Sequence, residues 1–274
     1  MEAMRRVRSS ALTTDDEGRS CHAGAPFSGL AYRVDDEGVV REIQVFAQGA
    51  VTGVSDDWLE LGEGERLDRE SLDLEDAYGP LLRRGAKVDG VVYFFDPRGA
   101  CLLEEAYSAG QPTDTARREW YPSGAPKALL RGADGWAWFE DGRLRARAVD
   151  GRTLLNLVVR EDGGLGGIVL HDPDLFDMGT VRPMAVSKEL LLTGHGIDDR
   201  LLGALRDETK LGAVTRLRLI DTAVGPEGVE ILVSLPGLRE VWLAKNRSLG
   251  PGQSEELRAR RPDCLVHHEE AGKR

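Results

Sequence analysis

Through the first 170 residues the chain alternates short apolar runs, rich in aromatic and β-branched residues, with polar breaks that carry glycine. This is the pattern of half-buried strands joined by tight hairpins, where glycine supplies the positive φ that a short loop needs. Four units follow from it. The first takes Pro26–Tyr32, a turn at Asp36-Glu37-Gly38, Val39–Phe46, a turn around Gln48-Gly49 and an end near Gly53. The second begins at Val88-Asp89-Gly90, runs through Val91–Phe95, turns at Pro97-Arg98-Gly99 and returns through Leu102–Tyr107. The third joins Arg118–Tyr121 to Ala128–Arg131 across Pro122-Ser123-Gly124, and the fourth joins Trp136–Phe139 to Leu144–Val149 across Asp141-Gly142. No single hairpin buries its own apolar face, so the copies are expected to stack edge to edge into one long antiparallel layer.

From Ala185 the pattern changes. Leucine-rich triplets at strand spacing, Leu190-Leu191-Leu192, Leu217-Arg218-Leu219 and Val241-Trp242-Leu243, start 27 and 24 residues apart, and Cys264-Leu265-Val266 begins a truncated copy. Between them lie amphipathic stretches, Asp198–Leu205, Pro226–Leu235 and Gly252–Arg260, which predict helices. A strand followed by a helix at this period is the pattern of a leucine-rich repeat.

Two groups of residues carry a family resemblance. Pro26-Phe27-Ser28-Gly29 with Gly38-Val39-Val40-Arg41-Glu42, and Trp120-Tyr121-Pro122-Ser123-Gly124-Ala125-Pro126-Lys127, resemble MORN-variant repeats of the bacterial YwqK-type antitoxin proteins. That resemblance runs from Pro26 to Val169, with drifting spacing and an interruption at Asp56 to Arg84. It implies a binding role with toxin partners and no established catalytic activity. Leu238-x-x-Val241-x-Leu243-x-x-Asn246 resembles the leucine-rich-repeat motif, whose asparagine position is taken by His195 and Thr222 in the other copies. The expected fold class is a β-rich repeat protein, a single-layer antiparallel sheet of MORN-like hairpins followed by a short α/β leucine-rich-repeat solenoid. The expected parts are a flexible N-terminus (1–25), hairpin repeats (26–170) with an acidic insertion (55–84), a linker (171–184), the leucine-rich-repeat segment (185–268) and a polar tail (269–274).

Composition refines this picture. Glycine makes up 33 of 274 residues, against a usual share of about 7%. The net charge is −11, and Ser55 to Ala77 alone holds ten acidic residues against Arg66 and Arg69. The rest is close to balanced, without the basic surface that nucleic acid requires, so no nucleic-acid partner is expected. The acidic run reads as a solvated linker or charged-face helix, or as a patch for a basic partner; it lacks the ligand spacing of an EF-hand. No apolar stretch reaches the ~20 residues of a membrane span, and the N-terminus has no secretion-signal core, so the expected location is the cytoplasm. Cys21, Cys101 and Cys264 are too few and scattered for a disulfide framework.

Candidate chemistry is sparse. No phosphate loop, dinucleotide fingerprint, nucleophile elbow or zinc-protease helix is present, and no cofactor or metal is expected. Cys264, His267 and His268 read as part of a polar end, and His171-Asp172-Pro173-Asp174 as a turn between the two repeat regions. The interface-type residues are clearer. Leu191, Arg218 and Trp242 are expected in a row on the exposed strand face, flanked by Arg216, Glu240 and Lys245, and tryptophan and arginine are the residues that anchor interfaces. Trp242 either sits there or packs against the neighbouring sheet. Trp136 and Trp138 belong to the aromatic face of the hairpins, buried or presented to a partner. The function expected is a non-catalytic interaction module, an antitoxin or immunity protein binding a basic toxin or a peptide. The rivals are an enzyme acting on a bound peptide through His171, Asp172, His195 or Cys264, and a structural adaptor.

Overall fold

The computed structural model describes residues 4–58, 64–74, 79–209, 211–246 and 248–269, and the chain divides into two compact units, Met1–Arg143 and Leu144–Arg274. Both are rich in β-structure, with several sheets among the described residues.

In the first unit β1 (Arg5–Arg8) pairs in parallel with β2 (Gly29–Val34), which continues antiparallel into β3 (Val40–Ala47) and β4 (Ala50–Ser55). The same order then recurs. Here β5 (Glu65–Asp68) pairs in parallel with β6 (Gly90–Phe95), followed antiparallel by β7 (Cys101–Ser108), β8 (Gln111–Trp120), β9 (Pro126–Arg131) and β10 (Asp134–Trp138). Each half also carries a small three-stranded sheet between its first two strands. Gly29, Tyr32, Gly38 and Gly49 have their counterparts 61 residues on, in Gly90, Tyr93, Gly99 and Gly110.

The two halves grip each other reciprocally. The Arg8 amide donates to the Gly99 carbonyl at 2.6 Å, and the Asp68 amide donates to the Gly38 carbonyl at 2.8 Å. Both glycines need to be glycine: φ is +76° at Gly38 and +80° at Gly99, and an added Cβ would lie 2.0 Å from Ser71 Cβ and 2.5 Å from Ala11 Cβ respectively. Leu30, Tyr32, Val40 and Ile43 from one sheet meet Val91, Tyr93, Cys101, Ala106, Ala116 and Trp120 from the other in a shared core. The Tyr32 and Tyr93 rings sit 5.4 Å apart.

Three expectations are corrected by this unit. The layer is not single, because the apolar faces of two sheets cover one another. Residues 4–25, expected to be flexible, form β1, a turn of 3-10 helix and a small sheet, since the alternation in Arg6-Val7-Arg8 buries Val7 at 1% exposure. The acidic insertion, expected as linker or helix, is the second half's version of that entry segment: Leu67, Leu72 and Leu81 are core, joined by Val88 and Val92. Several of its acids find cations, Asp68 lying 2.7 Å from Arg8 and Glu65 pairing with Arg83, while 59–63 and 75–78 of the insertion lie outside the described residues.

The second unit opens with three antiparallel strands, β11 (Leu144–Val149), β12 (Arg152–Val159) and β13 (Leu165–Leu170). β13 then pairs in parallel with β14 (Val186–Thr193), which is followed in parallel order by β15 (Arg216–Ile220), β16 (Glu240–Ala244) and β17 (Leu265–Glu269). Parallel neighbours require crossovers, and these are α1 (Asp199–Glu208), α2 (Pro226–Ser234) and α3 (Pro251–Arg260). Asp198 caps α1 by accepting from the Leu201 amide at 2.8 Å, while α2 and α3 each start with proline at their first position. One strand face, including Leu190, Leu192, Leu217, Leu219, Val241 and Leu243, is buried, as are Leu202, Leu205, Val229, Leu232 and Leu257 of the helices. The expected linker 171–184 is partly structural, with a turn of 3-10 helix at Pro173–Leu175 and a short helix, Met178–Val181, that buries Val181. Of the polar tail, 270–274 lies outside the described residues. No described helix is long and apolar enough to cross a membrane.

Candidate partner-binding face

Strand alternation puts one set of side chains from β14–β17 inward and leaves the other outward, and parallel pairing aligns the outward set into rows. One row is Leu191, Arg218, Trp242 and His267; the next is Glu189, Arg216, Glu240 and Leu265. The row expected from the leucine spacing is therefore present, with His267 as a fourth member. Trp242 is 38% exposed, large for a tryptophan, and Arg218 and Arg216 are exposed beside it. Leu191 is half-buried.

The surface is held rigid by its own contacts. The Trp242 ring stacks on His267 with centroids 4.0 Å apart and planes at 19°. Its indole N–H donates to Glu240 Oε1 at 2.9 Å, and that bond, with Arg216 alongside, holds the Glu240 carboxyl below its ordinary pKa. Arg216 also pairs with Glu189, and His267 Nε2 lies 3.3 Å from Glu240. Arg218 stands over the Trp242 ring at 5.8 Å. An aromatic side chain fixed in place before contact loses little entropy on binding. Lys245 follows at the end of β16, exposed, with φ +58°, its amide donating to the Glu269 carbonyl at 3.1 Å.

Asn246 occupies the motif position inside the turn. Its Oδ1 accepts from the Thr222 amide at 2.8 Å and from the Thr222 hydroxyl at 2.7 Å, and its Nδ2 donates to the Leu219 carbonyl at 2.8 Å. His195 makes a different contact: its Nδ1 lies 3.1 Å from Nδ1 of His171. The two histidines weighed as acid–base candidates thus meet. Burial pushes the Cys264 thiol pKa up, which makes it a poor nucleophile. All three cysteines are free and buried, and no group of three metal-ligating side chains is found among the described residues.

Trp136 and Trp138 belong to the other unit. Both are half-buried on β10, where the Trp138 carbonyl accepts from the Tyr121 hydroxyl at 3.0 Å. Sequence reasoning gave His267 no place on the face, and Glu189 none at all; the signal for both was their register with Trp242 and Arg216, which requires knowing the strand pairing.

No family model and no curated protein matches the chain. Among solved structures it is similar to one titled "Glycosylation Associate Protein (Gap123) complex from Streptococcus agalactiae", at 13% identity and a TM-score of 0.23, over 74% of this chain and 41% of that chain. The chain thus spans less than half the length of that neighbour, and a likeness this slight carries no argument about fold or function.

Proposed function

We propose that the chain is a non-catalytic interaction protein that binds a protein partner through the outward face of β14–β17. The observation that supports this is the row Leu191–Arg218–Trp242–His267, in which an exposed tryptophan is immobilised by neighbours that leave its outer surface free. Exposed anchors of this kind carry most of the energy of interfaces. The fold reading that accompanies it is an array of MORN-like hairpins with a short leucine-rich-repeat segment; the recurrence in the first unit and the Asn246 bonds to Thr222 and Leu219 favour it. The role that the resemblance suggests is an antitoxin or immunity protein of the cytoplasm. Charge divides unevenly, with 17 basic and 27 acidic residues in 1–143 against 19 and 20 in 144–274. A basic toxin would be steered by the first unit and anchored by the second.

The test is affinity capture from the native cell with the full chain and with a Trp242→Ala, Arg218→Ala variant, each partner then purified and titrated. A partner bound at least tenfold more weakly by the variant supports the reading. Partners indifferent to the change overturn it. Rescue of growth from a toxin partner separates an antitoxin from a structural adaptor.

A further inference from the structure

A second site lies in the first unit. Between β8, β9 and β10 opens a cleft of about 450 Å³, within the range of small-molecule sites. Its apolar walls include Trp120, Leu129 and Trp138, and its polar groups include Arg6, Arg118 and Arg131.

Charge in the cleft runs against the acidic unit around it. The Arg6 and Arg118 guanidiniums, each 12% exposed, converge on one carboxylate, Asp57, whose two oxygens take one each at 3.0 Å. Two cations therefore share one anion. The nearest further carboxylate, Glu104, is fully buried, lies 3.7 Å from Arg118, and is pushed up to about 7 by burial, so it offsets the second cation only in part at neutral pH. Glu119, also at the cleft, is already paired with Arg117 at 2.7 Å and Lys127 at 2.9 Å. Arg131 is exposed at the rim and has no ion pair among the described residues. The Arg6 Nε is buried without a hydrogen-bond partner among the described residues, and its guanidinium lies 4.5 Å from the Trp120 ring. The cleft thus joins surplus positive charge to aromatic walls.

We propose that this cleft binds a small organic anion, a carboxylate carried on an aromatic body. The carboxylate approaches Arg131 and the cationic end of the cleft beside Asp57, and the ring lies against Trp120 and Trp138. Guanidinium recognises carboxylate in a planar, charge-assisted geometry. The site shares no residue with the face on β14–β17 and stands independently of it.

The experiment is isothermal titration calorimetry of the full chain with 4-phenylbutanoate at pH 7 and low salt, beside the neutral 4-phenylbutanol. Saturable binding with a Kd on the order of 100 µM, ordinary for a ligand of about a dozen heavy atoms, is expected for the acid. The alcohol should bind at least tenfold more weakly, as should the acid to Arg118→Gln. Because Arg118 is partly buried and its variant is open to misfolding, Arg131→Gln at the exposed rim serves as a second variant, with a weakening of at least threefold expected. No saturation by 10 mM acid overturns the proposal. So does equal binding of acid and alcohol, or an Arg131→Gln variant indistinguishable from the parent.

Discussion

The halves Arg5–Ser55 and Glu65–Trp120 run through the same elements in the same order, yet they differ at one inward position with large consequences. Tyr32 and Tyr93 are counterparts, and the residues paired with them across the next strand are Ile43 and Glu104. Because the halves face each other, the Tyr32 hydroxyl reaches Glu104 and donates to it at 2.7 Å, whereas the Tyr93 hydroxyl has no hydrogen-bond partner among the described residues. A shared framework thus holds one satisfied tyrosine and one orphan. A single polar exchange in a duplicated core introduces a titratable group, and the two copies cease to be equivalent in chemistry while remaining so in shape.

The comparison breaks hardest at the reciprocal glycines. Gly38→Val places a branched side chain at φ +76° into Ser71, and should cost about 3–5 kcal/mol through left-handed strain and overpacking together. Gly53→Val, where nothing lies within 4 Å, should leave urea stability nearly unchanged. A comparable loss in both would dissolve the claim that the grip between halves depends on close approach.

Next comes Glu104→Gln. The folded carboxyl is raised from 4.5 to about 7, chiefly by burial, so between these values the native state holds more protons than the unfolded state. Its contribution to stability is full below pH 4.5 and is lost as the pH rises through 7. Relative to an uncharged side chain, the ionised group costs up to about 3 kcal/mol at pH 8. Urea unfolding at pH 5 and pH 8 should show the parent losing stability on alkalinisation more steeply than the variant; parallel slopes would remove Glu104 as the source.

The smaller tests separate the two tyrosines. Tyr32→Phe takes a charge-assisted hydrogen bond from Glu104 and should destabilise by about 2 kcal/mol at pH 8. Tyr93→Phe removes an orphaned hydroxyl and should be neutral or stabilising by up to about 1 kcal/mol. Equal effects of the two in thermal unfolding would show that the halves are chemically alike after all.

Much of this was legible from residues alone, for identifiable reasons. Turn glycines and aromatic strands located most of the hairpins, because a tight turn accepts few residue types. The row Leu191–Arg218–Trp242 followed from leucine spacing, because strand alternation sorts side chains by parity. The entry segments at Arg5–Arg8 and Glu65–Asp68 carry little signal: each is four residues long, and three of the four are charged, which reads as solvated chain. Their counterpart relation rests on scattered positions such as Gly29, Tyr32, Gly38 and Gly49, too few to announce a duplication of the whole segment. The cleft at Arg6 and Arg118 was equally invisible, since its cations are 112 positions apart.

By itself the sequence determined what is local: where strands turn, which face of each strand is apolar, where helices begin, and that most of the surplus negative charge belongs to the first unit. These depend on neighbours within a few residues, where backbone sterics and side-chain periodicity act. Only the tertiary structure decided which strands lie side by side and which sheets face each other. Through that it decided that Glu104 is buried against Tyr32, that His267 stacks on Trp242, and that Asp57 is shared by two arginines. Burial and charge pairing are properties of the assembled neighbourhood, and no stretch of chain carries them alone.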